Sequence, residues 1–262
     1  MKNIFIIIAF MGLLVASEHF AKIEPLETIT LKAEASGEVI KSLKEKEGEV
    51  VSGTVVQIDD KLNRKDLQST LESLALIEKM IKLNSRIVGD LQKNMQKKRS
   101  LYERVAPLSS SSVSQKDALY AAYVAAKSQY NGTLEKILNL KNQKVSLQQK
   151  ANFLKDTIEK KRVAVANRYL YKLNVDAGEF VTIGMPLATV MNLEKGKLTL
   201  YLAADELEGI KGKKIYIDGK ESRAKIKKIW SVADTQYISS YRVEIEVPNV
   251  KEFSKLVKVE FK

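Results

Sequence analysis

From Lys61 to Arg162, apolar residues recur alternately three and four positions apart, with no glycine-rich break and a single proline, Pro107, near the middle. The first half carries Leu67, Leu74, Ile77, Ile81, Val88, Leu91, Met95, Tyr102 and Val105, with Thr70, Asn84 and Lys98 at three of the same positions. The second half carries Leu119, Tyr123, Ala126, Tyr130, Ile137, Leu140, Leu147, Ala151, Leu154, Ile158 and Val165, interrupted by Thr133, Lys144 and Lys161. Such alternation keeps one stripe of a helix turned toward a partner, so each half predicts a long helix with a heptad seam. Two seams of similar length in one chain should face each other as an antiparallel hairpin over 61–163.

The turn is expected between Ala106 and Val113, where Pro107 removes a backbone donor and the serines at 109–112 compete for backbone hydrogen bonds. Ser114 with Asp117 has capping-box-like spacing for the second arm, and Asn63 with Asp66 is a comparable start for the first. At a rise of 1.5 Å per residue, arms of roughly 45 residues would reach about 65 to 70 Å.

The flanks follow a different pattern. From Thr28 to Asp60, and again from Tyr169 to Met191, short β-branched runs are broken at glycine. Glu47-Gly-Glu-Val-Val-Ser-Gly53 and Ala177-Gly-Glu-Phe-Val-Thr-Ile-Gly184 each hold a Gly-Glu, an apolar pair and a second glycine. Gly37, Gly48 and Gly53 are expected at turns, where positive φ is cheapest for glycine. Neither half has enough strands for a core of its own, so 34–60 and 164–192 are expected to pack as one β-domain that the hairpin interrupts. Alternation from Gly196 to Phe261 predicts five more strands in a small antiparallel barrel over 193–262, with a helical turn near Ala204 to Ile210 and Thr28 to Ala33 available as a further strand.

Residues 1–17 read as an export signal or N-terminal anchor. Lys2 precedes an apolar run from Ile4 to Ala16, and Ala16-Ser17 offers a cleavage point. About thirteen apolar residues are short for a bilayer span, which needs about twenty. In either form the remainder lies outside the cytoplasm, beginning with a linker or strand over 18–33.

Lys and Arg exceed Asp and Glu by twelve, but no basic stretch is interleaved with stacking aromatics, so no nucleic-acid partner is expected. The chain has no cysteine and one histidine, His19 beside the processing site, which excludes thiol chemistry, disulfides and histidine-based triads or metal clusters. No catalytic, cofactor-binding or metal-ligating residue is therefore assigned.

This order of parts resembles the periplasmic adaptor, or membrane fusion, proteins of the hemolysin-secretion D type. Ser36-Gly-Glu-Val39, Glu47-Gly-Glu-Val-Val51, Gly184-Met-Pro-Leu-Ala188 and Val243-Glu-Ile-Glu-Val-Pro-Asn249 carry the local likeness. The first half's glycine spacing is shorter than usual, and Val165-Ala-Asn-Arg-Tyr169 stands where an Ala-Pro-x-x-Gly opening is common. With the sequence finishing at the expected barrel, the chain is similar to the shorter adaptors. The resemblance implies an α+β fold: a split lipoyl-like β-domain (barrel-sandwich hybrid), a long antiparallel coiled-coil hairpin inserted in it, and a β-barrel.

It also implies a non-enzymatic, cofactor-free, membrane-associated periplasmic subunit. This would form a homo-oligomeric ring that bridges an inner-membrane transporter and an outer-membrane duct in tripartite efflux or secretion. At the tip, Arg104, Leu108 and Ser114 resemble a duct-docking Arg, Leu and Ser, Ser114 arriving one residue early. A structural coiled-coil envelope protein is the alternative, but it would need neither the paired β-halves nor the barrel. A lipoyl carrier would need a Lys-bearing hairpin tip where the rod stands instead.

Overall fold

A computed structural model describes residues 18–262, so the expected export signal over 1–17 lies outside the described residues. The strands and helices are β1 (His19–Lys22), β2 (Glu24–Lys32), β3 (Gly37–Ser42), β4 (Val50–Ile58), α1 (Lys61–Val105), α2 (Val113–Lys160), β5 (Arg162–Leu173), β6 (Phe180–Val181), β7 (Pro186–Ala203), β8 (Ile215–Ile217), β9 (Lys220–Glu221), β10 (Lys225–Ile229), β11 (Ser240–Pro248) and β12 (Leu256–Phe261). The architecture is α+β, with antiparallel sheets and a long helical hairpin between neighbouring strands.

Helices α1 and α2 run 45 and 48 residues, about 70 Å each. Every expected seam position from Leu67 to Val105 and from Leu119 to Ile158 is buried or half-buried. The fully buried seam residues of α1 are polar: Thr70 and Asn84. Each donates to its own helix, Thr70 Oγ1 to the Asp66 carbonyl at 2.7 Å and Asn84 Nδ2 to the Met80 carbonyl at 2.8 Å, which satisfies it without a partner on α2.

The helix ends differ from expectation. Ser112, not Ser114, is the N-cap of α2, its Oγ accepting from the Gln115 N–H at 3.2 Å, so Ser114 lies inside the first turn. At the start of α1, Asp59 Oδ1 accepts from the Lys61 N–H at 3.0 Å, and Asn63 instead accepts from Lys161 Nζ at 2.8 Å. The seam stops at Ile158, and Val165 belongs to β5. Strand pairing, which starts at Arg162, overrides the helical period there.

The two β-halves share one core. Val39, Val55, Val56 and Ile58 from before the rod pack with Leu170, Leu173, Val175, Val181, Leu187 and Val190 from after it. Two reciprocal backbone exchanges lock them. The Gly48 N–H donates to the Leu170 carbonyl and the Leu170 N–H to the Glu49 carbonyl; the Gly178 N–H donates to the Val39 carbonyl and the Val39 N–H to the Glu179 carbonyl. Each Gly-Glu turn is therefore bonded to the other half's strand. In both copies the first apolar residue, Val50 or Phe180, is exposed, while the second, Val51 or Val181, is buried. The glycines that open and close the two copies all have positive φ, but only Gly48, Gly178 and Gly184 lie in turns: Gly53 sits inside β4 at a shift of register, and Gly37, also expected at a turn, opens β3.

The C-terminal region departs from the expected closed barrel. Strands β10 and β11 extend the large sheet through β7, while β1, β12, β8 and β9 form a separate four-stranded sheet, and no pairing among the described residues joins the two into a closed barrel. A second core that includes Leu198, Leu200, Leu202, Val243, Ile245, Val257 and Val259 involves strands of both sheets. The residues that reach it from the N-terminal side are Ala21 and Ile23, whereas Thr28 to Lys32 pair with β7 beside the first core.

Strand β7 runs unbroken for 18 residues through both cores, so the expected boundary at 193 falls inside it. Gly196 lies within this strand, and a Cβ there would lie 2.7 Å from Val250 Cγ2 and 2.9 Å from Ile23 Cγ2. It is a mid-strand glycine that lets neighbouring side chains close over the backbone.

On β12, the side chain of Glu260 is 8% exposed and held by Lys258 and Lys262, each at 2.7 Å. The hydrogen bond from Lys258, then that from Lys262, lowers its carboxyl from an ordinary 4.5 to about 2. A carboxylate depressed on folding adds stability that is complete above its unfolded pKa and is lost as pH falls toward its folded pKa. Acid titration followed by circular dichroism should thus show a stability loss between pH 4.5 and 2 that Glu260→Gln reduces. Ser112→Ala should cost about 1 kcal/mol in denaturant unfolding, and Ser114→Ala less than about 0.5 kcal/mol, because only Ser112 caps.

Candidate docking site at the hairpin tip

The tip is built by the way α1 stops. The Ala106 N–H still reaches the Tyr102 carbonyl at 2.8 Å, and the Leu108 N–H the Val105 carbonyl at 3.1 Å, after which the chain turns into Ser112. Pro107 has no N–H to continue the ladder. Below the turn, the Tyr102 and Tyr120 rings stand 5.3 Å apart and those of Tyr120 and Tyr123 6.5 Å, bracing the two helix ends on each other.

Arg104, Leu108 and Ser114 are all exposed at this end of the hairpin. Arg104 sits in the last turn of α1, where the helix's partial negative charge favours a cation. Leu108, 48% exposed, lies in the connecting turn, and Val113 is exposed at the first position of α2. The Ser114 hydroxyl has no capping duty. Together they place exposed apolar side chains between a guanidinium on one helix and a hydroxyl on the other. Among the described residues, no cluster of acidic, histidine or cysteine side chains is arranged to hold a metal. Nor is any described helix long and apolar enough to cross a membrane.

At the opposite end, Lys161 fastens the rod to the β-domain. Its Nζ donates to the Asp59 carbonyl at 2.7 Å and to Asn63 Oδ1 at 2.8 Å, while its carbonyl accepts from the Ile58 N–H at 2.9 Å. The sequence marked Lys161 only as a break in the seam. Also missed were exposed apolar residues on the sides of the rod, among them Leu76, Leu83, Leu138 and Val145. Their signal was the same three-four spacing, displaced by one residue from the seam.

No protein-family model and no curated protein matches the sequence. Solved structures do match. MacA from Actinobacillus actinomycetemcomitans is 17% identical, the match covering 94% of this chain and 78% of that one with a TM-score of 0.63. A MacA-MexA chimeric protein containing the Pseudomonas aeruginosa MexA α-hairpin domain is 16% identical over 94% of this chain and 78% of its own, with a TM-score of 0.60. The membrane fusion protein Spr0693 from Streptococcus pneumoniae R6 is 12% identical over 94% and 98%, with a TM-score of 0.52. At such identities the likeness is one of fold. The inserted hairpin, the β-core it splits and the sheets beyond are those of the membrane fusion proteins, the periplasmic adaptors, and this chain has their fold.

Proposed function

We propose that the chain is a periplasmic adaptor subunit of a tripartite efflux or secretion assembly, bridging an inner-membrane transporter and an outer-membrane duct as a ring of identical copies. The observation that carries this reading is the placement of the rod. A hairpin of about 70 Å grows from between two paired strands and ends in an exposed apolar tip, so a partner held at the tip is kept far from whatever the β-domains rest on. Its work is to hold partners at a fixed separation, which requires no catalytic group. The membrane fusion proteins that share the fold support the reading. The alternative, a purely structural coiled-coil protein, leaves the two-half β-core and the C-terminal sheets without a use.

In this reading the β-domains sit on the transporter at the inner membrane. The tip meets the duct through Arg104, Leu108 and Ser114. A photo-crosslinker placed at 108 or 114 in the full chain should trap an outer-membrane helical protein, and recovery of only lipid-facing or cytoplasmic partners would sink the bridging role. Leu108→Asp should weaken co-purification of that partner by on the order of tenfold to a hundredfold, the cost of losing one buried leucine contact. Its helical content by circular dichroism should stay unchanged.

A further inference from the structure

The two most exposed large apolar side chains among the described residues, Ile238 at 86% and Val232 at 78%, stand on one loop, the connection 230–239 between β10 and β11. The loop is tied internally. The Asp234 N–H donates to the Ser240 carbonyl at 2.8 Å and the Ser240 N–H to the Tyr237 carbonyl at 3.0 Å, while Asp234 Oδ1 accepts from the Gln236 and Tyr237 N–H groups at 2.8 and 3.2 Å. The Tyr237 ring stacks on Tyr201 of β7, their centroids 4.1 Å apart. Val232 and Ile238 are thus held out into water by an ordered turn, where apolar surface is costly to leave.

Outward along this β-hairpin the residue types change in order. Lys228 and Arg242 come first, with Nζ and Cζ 4.3 and 4.6 Å from the centre of the Trp230 ring; Trp230 and Tyr237 follow, then Val232 and Ile238. A bilayer surface is layered in the same way, from headgroups that attract cations, through a belt that favours Trp and Tyr, to hydrocarbon. Two aliphatic side chains at the end of a two-stranded hairpin make a narrow wedge. That is far less than the roughly 800 Å² per partner of a stable protein interface, but it suits insertion between lipids.

The loop also lies at the right end of the molecule. Ser240 pairs with Ala203, the last residue of β7, whereas Pro186, the first, pairs with Lys32, which lines a cavity with Asp156 and Arg162 at the root of the rod. About 55 Å of strand separates the two ends. The described chain starts at the loop's end: His19 Nε2 is 3.1 Å from Glu206 Oε1, and Glu206 Oε2 accepts from the Ala203 N–H at 2.9 Å. In the sequence, the apolar run from Ile4 to Ala16 stands immediately before this point. Asp205, Glu206 and Glu208 follow Ala203, so local charge is mixed; long-range attraction to an anionic surface comes from the chain's excess of twelve cations, with Lys228 and Arg242 at the point of contact.

We propose that loop 230–239 is a lipid-contact wedge: Val232 and Ile238 enter the hydrocarbon edge of an anionic bilayer, Trp230 and Tyr237 lie at its interface, and Lys228 and Arg242 face the headgroups. This goes beyond the adaptor reading, since the contact needs neither transporter nor duct. It gives the β-domains a second point on the membrane, apart from anything residues 1–17 do, and two points fix an orientation that one leaves free.

Trp230 is the only tryptophan in the chain, so its fluorescence reports on the loop alone, whatever residues 1–17 bind. With the full chain and protein-free vesicles of equal parts phosphatidylethanolamine and phosphatidylglycerol, Trp230 emission should shift to the blue and be quenched by lipids brominated on their acyl chains. Val232→Asp combined with Ile238→Asp should reduce that quenching by about tenfold, because two apolar contacts with lipid are replaced by carboxylates. The variant's circular dichroism and its lipid-free emission should match those of the unaltered chain. Vesicles of phosphatidylcholine alone should give a weaker response. Absence of quenching in the unaltered chain, equal quenching in the double variant, or an equal response on phosphatidylcholine would overturn the proposal. So would a shift seen only with protein-containing inner-membrane vesicles, which would assign the loop to a protein seat. Capture of a duct from position 108 in the double variant would leave the adaptor reading standing in each of these cases.

Discussion

The fold depends on β4 and β5 being hydrogen-bonded neighbours although a hundred residues separate them. Gln57 pairs with Arg162 and Val56 with Val163, and Lys161 ties the last residue before β5 to the loop before α1. Closing a flexible loop of that length would cost about 4 kcal/mol in chain entropy. The hairpin removes most of this cost, because its contacts are made helix by helix along a local seam and deliver both ends to the same place. The rod is thus the means by which the split β-core can form, as well as an extension from it.

The exchange between Gly48 and Leu170, mirrored by Gly178 and Val39, shows why the repeated Gly-Glu turns matter. Each half supplies the other's missing edge partner, so neither is complete without the chain returning from the tip. A change at the far end that prevented the turn would be felt in a core some 70 Å away.

Much of this was legible in the residues. The heptad spacing located both helices and every seam position up to Ile158, because a single strong period over a hundred residues leaves few alternatives. Gly48 marked its turn for a similarly local reason, but Gly37 and Gly53, also expected at turns, lie in strands β3 and β4. What escaped was decided by contacts distant in sequence. Ser114 has the capping-box spacing, but the turn geometry makes Ser112 the cap. Gly196 was legible only as the start of an alternating run, and its close contact with Ile23 and Val250, which leaves no room for a Cβ, is visible only in the fold. At the candidate site, the exposed positions of Arg104, Leu108 and Ser114 followed from where the hairpin turns. The base clamp at Lys161 did not, since its partners Asp59 and Asn63 lie about a hundred residues earlier. The terminal strands had the alternation expected of a barrel, but alternation fixes faces and not which edges meet.

Strand β7 has a mechanical meaning. Because one uninterrupted strand contributes to both cores, no loop of β7 separates the core that carries the rod from the core that includes the terminal strands. A twist applied at the C-terminal sheets would be passed through the backbone of β7 into β5, its neighbour, and so to the root of α2. With a rod of about 70 Å acting as a pointer, a rotation of a few degrees at that root displaces the tip by several ångströms. Small movements at the base are therefore converted into large ones at the far end, without any part of the chain having to bend.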